Sequence, residues 1–122
     1  MTDPLSILAQ ALRSAGFDGI ETDGLTLYAR TADALEFQAT AGDLYRLSIR
    51  YAVRATDAER ADWMRANPKG RLEIAAGETE LTLSLPLDAD LPKALSEWAK
   101  LVHAGAVAAV EWRRKQKPLY GM

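Results

Sequence analysis

Along the chain the spacing of apolar positions switches between three-and-four and two, and each switch marks a change of element. Leu5, Leu8, Ala9 and Leu12 recur at helical spacing behind Asp3-Pro4, and Gly16-Phe17 reads as a left-handed cap, so a first helix is predicted over about 4–15. Asp18-Gly19 and Asp23-Gly24 read as turn dipeptides bracketing a short segment, Ile20 to Thr22. The period then falls to two. Leu25, Leu27 and Ala29 alternate with Thr26, Tyr28 and Arg30, and Leu35, Phe37 and Ala39 alternate with Glu36, Gln38 and Thr40. Beyond the turn at Ala41-Gly42-Asp43 lies the clearest strand, with Tyr45, Leu47, Ile49, Tyr51 and Val53 on one face and Arg46, Ser48, Arg50, Ala52 and Arg54 on the other.

Thr56 to Glu59 forms a capping box that opens a second helix, and Asn67, which precedes a proline, ends it. That helix is thinly apolar: Ala58, Ala61, Trp63, Met64 and Ala66 share it with Arg60, Asp62 and Arg65. Leu72, Ile74 and Ala76, then Leu81, Leu83 and Leu85, make a hairpin around Gly77-Glu78 that Pro86 terminates. The last helix is predicted from Asp90–Pro92 to about Lys115, with an apolar stripe of Leu91, Leu95, Trp98, Val102, Gly105, Ala109 and Trp112 at heptad spacing. At 1.5 Å per residue it is roughly 37 Å long. Leu95, Trp98 and Val102 are assigned to the core, and Trp112 either joins them or, where the helix overhangs its own sheet, is left for a second chain or a ligand. The predicted order is α-β-β-β-α-β-β-α within one domain spanning 1–122, and 117–122 is expected to be a frayed tail.

Composition narrows the classes. With 48% apolar and 26% charged residues and a net charge of −2, the chain is a folding, soluble type rather than a disordered one. The absence of cysteine excludes a disulfide framework, a thiolate nucleophile and a thiolate metal site. No apolar run is long enough to span a membrane, and no basic segment followed by an apolar run opens the chain, so a cytoplasmic location is expected. Charge falls in blocks: 1–45 and 72–98 are acidic, 46–71 and 99–122 basic. Such blocks either meet on facing elements or subunits, or are simply solvated.

Candidate chemistry is sparse. The single histidine, His103, has no carboxylate three or four residues away, so a catalytic or metal role needs partners brought by folding. The carboxylates at Asp18, Glu21 and Asp23, and at Asp88 and Asp90, do not follow the alternating ligand pattern of a calcium loop. No serine has a nucleophile-elbow context. No catalytic residue, cofactor or metal is therefore expected. Arg46, Arg50 and Arg54 form a row that suits a nucleic-acid backbone, with Tyr28 for stacking, unless Glu36 or Glu73 faces them; nucleic acid is the less favoured partner.

The element order, together with the run Asn67 to Leu72 leading into a hairpin that ends Leu83 to Leu87, resembles the YbjN-like family of bacterial sensory transduction regulators. That family is similar in fold to the class I type III secretion chaperones. The resemblance implies an α+β domain with an antiparallel five-stranded sheet packed against helices. It also implies a homodimer that binds a protein or peptide client and catalyses nothing. The dimer contact it implies is the second helix with the strand after it, here Trp63, Met64, Leu72 and Ile74, and a half-exposed Trp-Met surface suits such a contact independently. Client binding is implied at the first helix and the sheet: Leu5, Leu8 and Leu12, with Arg46, Arg50 and Trp112 as further candidates. Two other readings are a small-ligand sensor or enzyme with a sheet-helix pocket near His103, and a weak nucleic-acid binder using Arg46, Arg50 and Arg54.

Overall fold

The computed structural model describes residues 3–116, so the expected frayed tail at 117–122 lies outside the described residues. Its first element, α1 (Pro4–Ser14), begins where predicted, because the Asp3 carboxylate accepts from the amides of Leu5 (3.0 Å) and Ser6 (3.1 Å) and Pro4 needs no partner. It ends in a Schellman motif: Gly16 takes φ +87°, its amide donates to Arg13 O (3.1 Å), and Phe17 N donates to Leu12 O (3.0 Å).

Four strands follow: β1 (Asp18–Asp23), β2 (Thr26–Arg30), β3 (Glu36–Ala41) and β4 (Leu44–Tyr51). Then come α2 (Asp57–Ala66), the hairpin of β5 (Arg71–Ala75) and β6 (Glu78–Pro86), and α3 (Leu91–Gln116). All strand pairs are antiparallel, in the order β1-β2-β3-β4-β6-β5. The sheet thus has six strands rather than the expected five. The addition is β1, an edge strand whose only partly buried residue is Ile20 and which carries a bulge between Asp18 and Glu21, where Gly19 sits at φ +60°. A glycine that reads as a turn instead makes the bulge, and an edge strand with one inward side chain shows no period of two.

Register explains the core. Leu27, Ala39, Leu47 and Leu83 lie side by side across four strands, and Ile49, Leu81 and Leu72 form a neighbouring row. α1 and α3 pack on this face, and α2 packs against β5. Phe37 meets Phe17 and Trp98 edge to face, each at 5.6 Å. All seven residues of the predicted α3 stripe are buried. The opposite face, with the row Tyr28, Gln38, Ser48, Thr82 and Arg71, has no helix across it among the described residues.

Two buried polar groups lock the frame. The Thr79 hydroxyl donates to Val53 O (2.7 Å) and accepts from Ala55 N (2.9 Å), pinning the chain between β4 and α2. The Tyr51 phenol donates to Val102 O (2.7 Å) and ties the sheet to α3. The far end of α3 is also held, since Gln116 Nε2 donates to Arg54 O (2.7 Å) and to Glu59 Oε1 (3.2 Å). Trp112 is only 6% exposed, so the expected overhang that leaves it for a partner does not exist.

Candidate peptide-binding surfaces

A wide concavity runs between the outward side of α1 and the start of α3. A cleft of about 670 Å³ is lined by Ile7, Gln10, Ala11, Ala15, Leu91 and Pro92, among others. A second, of about 360 Å³, continues past Phe17, Leu95 and Ala99, and Ala15 and Pro92 belong to both. The trough exists because its walls are cut short: Ala11, Ala15, Gly16, Ala32, Ala89 and Ala99 contribute little bulk where larger side chains would fill the gap. Ile7 stands 44% exposed on its rim. Asp90 lies at one end, accepting from Lys93 N (3.3 Å), and Lys100 lies at the other. A surface of this kind suits an apolar segment of another chain, with charges at either end to orient it.

The first-helix residues expected to meet a client are placed differently. Leu8 and Leu12 are fully buried and Leu5 is partly buried, so the core has taken the apolar stripe. The groove is instead lined by α1 positions just off that stripe. One sequence signal pointed to it, an isoleucine at position 7 that faces away from Leu8 and Leu12; the alanines carry no signal of their own.

On the open face of the sheet, Arg46 and Arg50 converge on one carboxylate. Glu80 Oε1 lies 3.5 Å from Arg46 Nη2 and Glu80 Oε2 lies 3.2 Å from Arg50 Nε. Register explains the meeting, since Arg50 pairs directly with Glu80 on β6. The expected opposing acids, Glu36 and Glu73, are not the partners. Arg54 lies beyond the end of β4 at Tyr51, so the three arginines form no continuous row of cations.

The implied dimer surface is largely internal. Trp63 is 7% exposed and does not offer the half-exposed surface expected of it, Leu72 is 3% exposed, and Met64 and Ile74 are partly buried. Trp63 turns inward because Gly70 leaves room for its ring: a Cβ at that position would lie 2.9 Å from Trp63 Cη2 and Cζ3. Met64 covers the sheet edge, its sulfur accepting from Leu72 N at 3.5 Å.

His103 does find an acid. Its Nδ1 lies 3.2 Å from Asp33 Oδ2, but the two side chains are 67% and 61% exposed and lie outside the apolar trough. Among the described residues no group of three or more His, Cys, Asp or Glu could hold a metal ion, and no helix is long and apolar enough to cross a membrane.

No family model and no curated protein matches the sequence. Solved structures do match. The HopA1-SchA chaperone-effector complex aligns at TM-score 0.63 and 15% identity, covering 90% of this chain and 92% of that one. The Yersinia pestis type III secretion chaperone SycH, solved with a stable fragment of YscM2, aligns at TM-score 0.62 and 15% identity over 90% and 99% of the two chains. An uncharacterised protein from Methanothermobacter thermautotrophicus gives TM-score 0.63 at 8% identity over 94% and 100%. Helices on one face of an antiparallel sheet, in this order and over nearly the whole chain, are the fold of the type III secretion chaperones.

Proposed function

We propose that this chain is a non-enzymatic protein- or peptide-binding module, chaperone-like or a regulatory adaptor, that receives an apolar segment of its partner in the trough between α1 and α3. The observation that carries the reading is the trough itself: two adjoining, alanine-walled clefts beside an exposed Ile7, on a molecule whose apolar residues are otherwise mostly buried. The chaperone fold supports it, since two of the similar structures are complexes of a chaperone with another protein. The YbjN-like resemblance of Asn67 to Leu72 and Leu83 to Leu87 suits a regulator of this kind, and the lack of cysteine suits a reducing cytoplasm.

The test is capture from a native extract with the whole chain and with an Ile7→Glu/Ala11→Arg variant, followed by mass spectrometry. Ile7 is exposed and Ala11 only partly buried, so the variant should fold and melt like the parent. A partner held by the parent and lost by the variant supports the trough. A partner held equally by both places binding elsewhere. Nucleic acid is disfavoured because Glu80 is shared by the arginine pair and halves its charge, and an enzyme at His103 because its acid-paired imidazole stands in the open.

A further inference from the structure

α3 is apolar on both sides over part of its length, since Ala104 to Val110 contains no polar side chain. Gly105 and Ala109 face the sheet and are buried. The side opposite has its own heptad spacing of 3, 4, 3, 4, 3 through Glu97, Lys100, Ala104, Val107, Glu111 and Arg114. Val107 is 54% exposed and Val110, beside it, 41%. Lys100, Glu111 and Arg114 are exposed and make no ion pair among the described residues, while Glu97, at the margin, reaches Lys69 at 2.6 Å.

We propose that this face is the contact between two copies of this chain, with the α3 helices antiparallel about a twofold axis midway between Gly105 and Ala106. In that register Ala104 meets Val107 of the other copy, Lys100 meets Glu111, and Glu97 meets Arg114, and symmetry makes each contact twice. The charge pattern selects a second copy as occupant, because the signs complement each other only when the stripe is reversed upon itself. A parallel pair sets Lys100 against Lys100 and Arg114 against Arg114. Sliding one helix by a turn sets Ala104 against Glu111 or Val107 against Lys100. The small side chains at Ala104 let the backbones approach closely, and the paired flanks fix the register. A single helix pair lies at the low end of specific interfaces, which begin near about 1,000 Å² of buried surface, so association is expected in the micromolar range. The contact meets the peptide trough only at Lys100, which ends the trough, and Val107 and Glu111 do not line it.

Sedimentation equilibrium of the whole chain across a wide micromolar range tests the proposal. A concentration-dependent dimer is expected. Lys100→Glu and Glu111→Lys should each raise its dissociation constant on the order of tenfold, because each change spoils two symmetric pairs. The double variant K100E/E111K should restore it. Val107→Glu should leave a monomer with unchanged circular dichroism and with its partner capture intact. A parent that stays monomeric at several hundred micromolar overturns the proposal. So does a dimer that ignores these changes and dissociates instead on Met64→Glu or Ile74→Glu.

Discussion

Tyr51 and Gly105 show how a single contact sets tolerance. Read in sequence, Gly105 is a small residue that lets another element come near; in the structure the element is this chain's own β4. A Cβ at position 105 would lie 2.7 Å from Tyr51 Cζ and 2.8 Å from Cε2. The identity of the visitor was not legible, because it depends on the strand order that brings β4 under α3. Gly105→Ala should therefore cost roughly 2 kcal/mol by overpacking, read as a lower urea midpoint with unchanged slope, and less of this in a Tyr51→Phe background, where the two sites couple. Burial also raises the Tyr51 pKa above the ordinary 10.0. The folded state thus holds its phenolic proton more tightly than the unfolded state. That contribution is complete below the unfolded pKa and is lost as pH climbs above it. Unfolding free energy should fall more steeply above pH 10.0 in the parent than in Tyr51→Phe, while the two should run parallel near neutrality.

Elements whose signals are local were legible. The capping box at Thr56 forms as read, with Glu59 N donating to Thr56 Oγ1 (3.1 Å) and Thr56 N to Glu59 Oε1 (2.8 Å). The α3 stripe and both long helix boundaries follow from spacing and breakers alone. β1 was not legible, because a bulged edge strand has neither alternation nor apolar content. Trp63 was misread for a related reason: α2 is thinly apolar, which suggests a surplus Trp, yet a single buried indole over Gly70 is enough to seat the helix. Thr79 occupies an inward position of β6 where the alternation of Leu81, Leu83 and Leu85 calls for an apolar residue. Its hydroxyl serves the backbone at Val53 and Ala55 instead. Thr79→Val keeps the shape and leaves Val53 O its bond from the Thr79 amide (2.9 Å), but Ala55 N becomes buried and unpaired, so about 2 kcal/mol should be lost, measured by thermal and urea unfolding.

Across the whole molecule, the charge blocks of the sequence become neighbours in space. Basic 46–71 meets acidic 72–98 through Arg46 and Arg50 with Glu80 and through Lys69 with Glu97, so alternation along the chain is partly cancelled by folding. This cancellation decides what the uncovered sheet face can bind. Two guanidiniums around one carboxylate carry a net charge of +1 at that point, and Glu36 and Glu73 lie on neighbouring strands, so a polyanion finds little to replace its counterions. Removing the shared carboxylate should change that. Glu80→Gln keeps the side-chain volume and leaves Arg46 and Arg50 without their acid, at a stability cost of about 1 kcal/mol. Single-stranded nucleic acid should then bind weakly at low ionic strength, with a log-affinity slope against log salt of about −1.4 for two phosphates. The parent should show no binding under the same conditions. Equal binding by both chains would mean that Glu80 does not hold the face in check, and the basic C-terminal stretch from Arg113 to Lys115 would then be the place to look for the contact.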